Sequence, residues 1–434
     1  MLIAGGGTGR PLDTIADVSN TAPVKYGKYC FVMSTSCYIV MPIIVSPACF
    51  DWVDDETRVA INMPSCEWIT RGPKNSLTDI AGVRVGHVTL ISGDGPLVPG
   101  HGPVRTGVTG IIPCEDIYKH KLAAGAHVIN GFGKMTGLPQ VHELGRLETP
   151  ILLTNTLSVW QAADGMVDYL LARHPDIGIS GPTCNPVVGE CNDSFLNDIR
   201  GRHVRAAHAR QALDGATDAA VLEGSVGAGT GMICYGFKGG IGSASRVGHS
   251  PALAGRVTIA ALVLANFGRQ ADLRVYGCPV GRYVRASSPR SREKARGRGE
   301  SSVNGSPGGS GGSVIVILGT DAPLTSGQLT RVARRAAAGL ARTGSTYSHG
   351  SGDFALAFST ARTYPPYLAD EGELLNPLFA AAADVTEEGV IRALLAGTAM
   401  TGRNGHRVEP LTQADLRRAW EAWRKAPDEW LPAY

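Results

Sequence analysis

The sequence predicts an α/β fold with buried strands. From Leu77 onward, short apolar runs alternate with amphipathic stretches, which indicates strands covered on both faces and helices covered on one. Of the 434 residues, 43% are hydrophobic and 18% are charged, so the chain can form a large core and lacks the composition of a disordered protein. The formal net charge of +3 is too small to indicate a nucleic-acid partner.

Apolar runs of strand length predict the buried strands, because each contains few charges and several residues that favour extended backbone. These runs are residues 108–113, 127–131, 151–156, 257–268 and 314–318.

Apolar residues at helical spacing predict helices at residues 158–174, 325–343 and 411–426. Thr412 is a suitable N-cap for the last of them, because its hydroxyl group can accept a hydrogen bond from a free N–H of the first turn.

The first 62 residues contain an uncharged stretch, residues 29–50, that follows two lysines. It has features of an export signal or a marginal membrane span, although its hydroxyl residues and Pro42 weaken both interpretations. A third interpretation is that translation begins at Met63, where globular patterning starts. We therefore expect a cytoplasmic protein whose mature body does not contact a membrane, unless residues 25–50 export it to the periplasm or beyond.

Neither a metal ion nor an organic cofactor is expected. The nine cysteines contain no CxxC pair and are interpreted as reduced thiols, and the eleven histidines contain no HExxH motif.

Residues 285–312 are rich in Arg, Ser and Gly and predict a solvated loop that cannot pack into a core. So long a loop inside a compact domain indicates a functional event there. GGSGG, at the end of the loop, matches GxSxG with Ser310 as nucleophile, but it follows a loop and opens a strand, unlike a nucleophile elbow. A Ser/His/Asp triad through His349, in SHGSGD, stays open as an alternative.

Ser313 lies where this loop meets the apolar run VIVIL, with no turn residue between them. Cleavage of the Gly312–Ser313 bond would give Ser313 both a hydroxyl group and a free α-amine, whose unperturbed pKa is about 7.7–8.0. The amine could then take the hydroxyl proton, so one residue would be nucleophile and general base. A linker that happens to end in serine is the other interpretation.

The segment GSVIVILGTDAPL resembles the start of the small subunit of the self-processing serine aminopeptidases, the family of D-aminopeptidase/L-aminopeptidase-D-esterase and β-aminopeptidases. Further segments are similar to the same family, and the resemblance as a whole covers roughly residues 72–400. They are residues 76–91, 105–113, 130–156, 186–199, 223–246, 262–268 and 350–360.

The resemblance implies a four-layer αββα sandwich, in which self-cleavage gives two chains that form one domain. The large subunit would be residues 63–312, the small subunit residues 313–434, and residues 1–62 an extension of uncertain status. The resemblance also implies a homo-oligomer, no cofactor, and small peptides, amides or esters with a free amine as substrates.

The catalytic roles also follow from the resemblance. Ser313 is implied to be the nucleophile, and Asn266 to donate a hydrogen bond to the oxyanion. Ser351 and Asp353 resemble the serine and the acid that orient the nucleophile and its amine, although some relatives have Glu at the position of Asp353.

Two residues are implied to bind the substrate. Glu190 resembles the carboxylate that binds the substrate amino group, and Asn192 occupies a position where some relatives have a tyrosine near the substrate. Two rival functions stay open: a self-cleaving acyltransferase of the ornithine-acetyltransferase type, and an inactive binding protein of the same fold. The choice between L- and D-residues, and between α- and β-amino acids, stays open as well.

Overall fold

The structure is a computed structural model that describes residues 70–250, 253, 255–284, 311–362 and 371–425. The interpretations of residues 1–62, of Met63 as a start, of Ser310 as a nucleophile and of the loop up to residue 310 lie outside the described residues.

The strands, in chain order, are β1 (Thr70–Arg71), β2 (Arg84–Ser92), β3 (Val104–Ile112), β4 (Leu122–Gly131), β5 (Arg146–Leu147), β6 (Ile151–Asn155), β7 (Val187–Cys191), β8 (Ile233–Cys234), β9 (Phe237–Lys238), β10 (Gly240–Ser250), β11 (Gly255–Asn266), β12 (Gly311–Thr320), β13 (Gly350–Ser359), β14 (Met400–Thr401) and β15 (Arg407–Val408). The α-helices are α1 (Leu138–Leu144), α2 (Val159–Leu171), α3 (Ala206–Asp214), α4 (Val280–Tyr283), α5 (Ser326–Ala333), α6 (Arg335–Arg342), α7 (Glu371–Leu395) and α8 (Gln413–Lys425).

The larger sheet has seven strands in the order β1-β10-β11-β12-β13-β4-β5. Only β12 and β13 are parallel neighbours in it. Parallel strands need a crossover connection, and α5 and α6 lie in the connection between these two. The segment after Gly312 therefore supplies two adjacent inner strands of a sheet whose other strands precede it.

The smaller sheet has the order β2-β3-β6-β7, with β6 and β7 parallel. Apolar side chains fill three layers. The first layer lies between α5–α8 and the larger sheet and includes Leu329 and Val316. The second lies between the two sheets and includes Ile315 and Leu153. The third lies between the smaller sheet and helices α2 and α3 and includes Met166. This arrangement is a four-layer αββα sandwich, and it confirms the predicted fold class.

All five predicted strand segments overlap observed strands, namely β3, β4, β6, β11 and β12. The helix predicted at residues 325–343 is observed as α5 and α6, separated only by Arg334, whose own backbone is helical. The predicted N-cap of α8 is confirmed, because the N–H of Asp415 donates to the hydroxyl group of Thr412 at 3.1 Å. Helix α7 was not predicted: it is rich in buried alanine, so it has no clear polar stripe to indicate a helix.

The close contact between β10 and α7 depends on the absence of a side chain at Gly242, so a substitution there tests the fold. A Cβ atom at Gly242 would lie 1.9 Å from the carbonyl oxygen of Gly389 and 2.7 Å from the backbone nitrogen of Ala393. We expect Gly242→Ala to lower the free energy of unfolding by about 1–3 kcal/mol, because strand and helix must separate. Chemical denaturation of the purified protein measures this change.

The matched control is Gly327→Ala in the first turn of α5, where an added Cβ would have nothing within 4 Å. Because alanine is favoured over glycine in a helix, this variant should be unchanged or slightly more stable. Equal losses in the two variants would contradict the close packing of β10 against α7.

Candidate active site

Ser313 lies near the start of β12 and is only 4% exposed. In the register of the larger sheet it pairs with Asn266, the last residue of β11, and on its other side with Gly352 of β13. The ends of three neighbouring strands therefore meet at Ser313.

Two donors converge on the hydroxyl oxygen of Ser313. They are Nδ2 of Asn266, at 3.2 Å, and the backbone N–H of Asn192, at 3.3 Å. The amide of Asn266 is held at both ends, since its Nδ2 also donates to the carbonyl oxygen of Asn192 at 3.1 Å and its Oδ1 accepts the N–H of Ile233 at 2.9 Å. An oxyanion hole requires fixed donors of this kind, aimed at the place where the oxyanion forms beside the attacking oxygen.

Asn192 reaches the site through its backbone. Its side chain is exposed, and Oδ1 accepts the N–H of Ser194 at 2.9 Å, so the side chain shapes the turn that follows β7. Its contact with a substrate stays a prediction.

Ser351 and Asp353 lie on β13, beside Gly312 and Val314 in the register. Because side chains alternate along a strand, theirs face the α5–α8 layer, whereas that of Ser313 faces the layer between the sheets. The hydroxyl group of Ser351 donates to Oδ1 of Asp353 at 2.6 Å, and the backbone N–H of Val314 also donates to this carboxylate. Burial raises the pKa of Asp353 to about 6.

Oδ2 of Asp353 has no hydrogen-bond partner among the described residues. The N–H that this carboxylate accepts belongs to Val314, one residue beyond Ser313. A free α-amine at Ser313 would therefore form close to a buried carboxylate with an open oxygen.

Glu190 lies on β7 and is 4% exposed. Its Oε1 accepts the backbone N–H of Lys134 at 3.1 Å and lies 3.5 Å from the ammonium nitrogen of the same residue. Its Oε2 accepts the hydroxyl group of Thr156. The carboxylate is thus buried, fixed at both oxygens and paired with a half-exposed cation.

Gly133 separates Glu190 from β13, the strand beside Ser313. A Cβ atom at Gly133 would lie 3.5 Å from Oε1 of Glu190 and 2.8 Å from Cα of Gly352, the residue that pairs with Ser313. The absence of a side chain at Gly133 therefore lets the carboxylate approach the start of β13.

The structure brings all of the predicted site residues to one end of the larger sheet. Sequence reasoning did not single out Lys134 and Thr156, the partners of Glu190. A cation inside the glycine-rich segment GFGKMTG was the available signal for Lys134.

The structure does not support a triad through His349. In the described part of the chain its ring forms no hydrogen bond to a serine or an aspartate, and it lies 6.1 Å from the ring of Phe132. No three His, Cys, Asp or Glu side chains among residues 70–250, 253, 255–284, 311–362 and 371–425 are grouped so as to hold a metal ion.

The cysteines of the described segments are unpaired: Cys114, Cys184, Cys191, Cys234 and Cys278. Within the same segments, no helix is both long enough and apolar enough to cross a membrane.

The model of peptidase family S58 matches residues 75–408. β-Peptidyl aminopeptidase BapA of Sphingosinicella microcystinivorans is 40% identical over 362 residues, which cover 82% of this chain and 89% of BapA. The solved structure of a Burkholderia β-aminopeptidase is 40% identical with a TM-score of 0.69 and covers 82% of this chain and 96% of its own.

The solved structure of the L-aminopeptidase D-Ala-esterase/amidase of Ochrobactrum anthropi is 35% identical, with a TM-score of 0.70, and covers 82% of this chain and 96% of its own. That enzyme is described as a prototype of the serine aminopeptidases and as a variant of the Ntn-hydrolase fold. These similarities confirm the resemblance found in the sequence.

The raised pKa of Asp353 generates a test in the uncleaved chain. The unfolded state has an ordinary aspartate pKa of about 3.9, so the folded state binds this proton more tightly. Ionisation therefore costs stability as the pH rises through about 4 to 6, whereas below this range the carboxyl group is neutral in both states. We expect Asp353→Asn, in the uncleavable Ser313→Ala chain, to raise the free energy of unfolding by about 1–3 kcal/mol at about pH 7.5.

Chemical denaturation of the Ser313→Ala chain with and without Asp353→Asn, at about pH 3.5 and about pH 7.5, measures the difference. The difference in free energy of unfolding between the two chains should be small at the lower pH, so the measurement at that pH serves as the control for each protein. A gap of the same size at both values would contradict the raised pKa.

Proposed function

The chain belongs to peptidase family S58 and is a serine aminopeptidase, and we propose that its nucleophile is Ser313, freed when the Gly312–Ser313 bond is cut. The observation that carries this proposal is the convergence of Nδ2 of Asn266 and the N–H of Asn192 on the hydroxyl oxygen of Ser313.

Self-cleavage begins when the hydroxyl oxygen of Ser313 attacks the carbonyl carbon of Gly312. The C–N bond breaks, the nitrogen takes a proton and an ester forms; water then hydrolyses the ester to leave a carboxylate on Gly312 and a free amine on Ser313. Glycine suits this position, because a Cβ atom at Gly312 would lie 3.0 Å from Cα of Phe267, the residue that follows β11.

Hydrolysis of a substrate uses the new amine. The amine takes the proton of the Ser313 hydroxyl group, and the oxygen attacks the carbonyl carbon of the scissile bond. Asn266 and Asn192 donate to the resulting oxyanion, and the departing amine of the substrate takes the proton. Water then hydrolyses the acyl-enzyme. Asp353, oriented by Ser351, holds the amine of Ser313 in place.

Glu190 binds the free amino group of the substrate. A buried carboxylate makes a strong charge-assisted hydrogen bond to an ammonium group. In the resting site the ammonium of Lys134 faces Oε1 at 3.5 Å, a distance long enough for a substrate ammonium to replace it. This requirement explains why an aminopeptidase acts only at a free N-terminus.

The substrates we propose are short peptides that begin with a β-amino acid. Support comes from two relatives, the β-peptidyl aminopeptidase and the β-aminopeptidase, each 40% identical to this chain.

The two products of cleavage stay together as one domain in this proposal. Strands β12 and β13 come from the segment after Gly312 and lie between β11 and β4, which come from the segment before it. We also propose a homo-oligomer, from the family resemblance, and a reducing cytoplasmic compartment, since the described cysteines are unpaired.

Processing tests the identity of the nucleophile. Wild-type protein should give two bands in denaturing electrophoresis, and N-terminal sequencing of the smaller one should read SVIVI. Ser313→Ala should give one band and no aminopeptidase activity, because it removes the attacking oxygen. Ser313→Thr is the matched control, because it keeps a hydroxyl group. An intact Ser313→Ala chain with full activity would place the chemistry elsewhere.

Substitution of Glu190 tests recognition of the amine. Glu190→Gln removes the charge and keeps the shape of the side chain. We expect kcat/KM to fall by a factor that corresponds to a loss of about 1.5–3 kcal/mol of transition-state stabilisation. N-acetylated substrates should resist wild-type enzyme, because acetylation removes the ammonium charge. Steady-state kinetics on free and acetylated β-aminoacyl amides measures both effects.

The matched control is Glu148→Gln, which removes another buried carboxylate that is paired with a lysine, Lys121, at the far end of β6. It should leave kcat/KM close to wild type. Normal turnover of acetylated substrates would rule out the role of Glu190.

A further inference from the structure

Lys238 is completely buried on β9, and among the described residues no carboxylate forms an ion pair with it. Its ammonium group donates instead to three backbone carbonyl oxygens, those of Gly229 at 3.0 Å, Met232 at 2.9 Å and Gly239 at 2.8 Å. Burial of a cation without an anion is costly, so a chain that only needed to fill this space would be served better by an apolar residue.

One of these carbonyl groups belongs to the peptide group that holds Asn266. The C=O of Met232 accepts from Lys238, and the N–H of the same peptide group, that of Ile233, donates to Oδ1 of Asn266 at 2.9 Å. Nδ2 of Asn266 then donates to the hydroxyl oxygen of Ser313 at 3.2 Å. A chain of hydrogen bonds, each donating in the direction of Ser313, therefore connects the buried ammonium group to the hydroxyl oxygen of Ser313.

The hairpin of β8 and β9 fixes this connection. Ile233 pairs directly with Lys238 across the hairpin, and the turn residues Tyr235 and Gly236 have φ angles of 52° and 77°, as a tight two-residue hairpin requires. The N–H of Tyr235 donates to the carbonyl oxygen of Phe267 at 2.7 Å, which attaches the hairpin to the chain directly after Asn266.

We propose that Lys238 is a positioning residue for catalysis: its ammonium group polarises the Met232–Ile233 peptide group and, through it, the amide of Asn266, so that Nδ2 donates more strongly to the oxyanion. This inference rests on the proposed role of Asn266. Bonds to a charged group are about twice as strong as neutral ones, and each bond in a chain strengthens the next.

The charge of Lys238 gives this role a pH dependence. Burial lowers the pKa of Lys238 to about 7, so the side chain loses its charge as the pH rises through neutrality. The oxyanion is absent from the bound substrate and forms only when the nucleophile attacks, so loss of the Lys238 charge should lower the contribution of Lys238 to kcat and leave KM nearly unchanged.

Other titratable groups face this region, and Tyr235, in the turn of the hairpin, stays neutral because burial raises its pKa. Cys234, across the hairpin, has its pKa raised by burial to about 12 and stays neutral. Glu409 offers Lys238 only its backbone carbonyl oxygen, and its carboxylate pairs with Arg407 at 2.6 Å. Asp193 packs against Gly231, and burial raises its pKa to about 7, so it titrates in the same range and needs a control.

The test measures kcat and KM between about pH 6 and 9 for self-processed wild type, Lys238→Met and Lys238→Gln. Wild-type kcat should exceed that of either variant about 10-fold at the acidic end, a part of the about 10²–10³ that a lost oxyanion donor costs. The ratio should approach about 1 at the alkaline end, where Lys238 is neutral. Asp193→Asn should keep the wild-type pH dependence.

The same measurements in an Asn266→Ala background complete a double-mutant cycle. There, Lys238→Met should change kcat by less than about 2-fold, because its effect passes through Asn266. If neither Lys238 variant folds, the ratio of kcat in wild type to kcat in Asn266→Ala decides. This ratio should fall toward alkaline pH, because titration of the Ser313 amine affects both proteins alike and cancels.

A kcat ratio that does not change with pH, or equal effects of Lys238→Met in both backgrounds, would each overturn the role of Lys238 while leaving an active serine aminopeptidase. A wild-type chain that neither cleaves itself nor hydrolyses substrates with a free amino group would instead refute the proposed function, and this inference with it.

Discussion

The register of three strands, β11, β12 and β13, is the constraint on which the site depends. It pairs Ser313 with Asn266 on one side and with Gly352 on the other. Because side chains alternate along a strand, a slip of one residue would turn Ser313 toward the helices and away from Asn266. The buried runs on both faces of β12 oppose such a slip, since Val314 and Ile315 pack into different layers.

The same register places the hydroxyl group and the backbone of Ser313 near opposite faces of the larger sheet. The hydroxyl group of Ser313 faces the layer between the sheets, with Asn266 and Asn192, whereas Asp353 approaches the backbone of Val314 from the helix side. A nucleophile with its base on its own backbone fits this arrangement: the oxygen lies on one face, and the amine can be held from the other.

Several parts of this arrangement were visible in the sequence. The apolar run after Ser313 predicted a buried strand, and the glycine-rich loop before it predicted a cut, because both follow from local composition. Asn266 and Glu190 were reached only through resemblance to a family. Nothing local distinguishes an asparagine at the end of one strand, or a glutamate within another, from residues of the same type elsewhere.

The sequence by itself predicted five of the buried strands, the segments that form α2, α5, α6 and α8, and, by resemblance, the αββα class; the role of Ser313 as nucleophile stays a prediction. Only the tertiary structure decided which side chains surround it. Lys134 contacts Glu190, and Lys238 reaches Asn266 through the Met232–Ile233 peptide group, because distant segments meet at the end of one sheet. Such contacts depend on strand register and on close approach at residues such as Gly133, and neither is written in the local pattern of a chain.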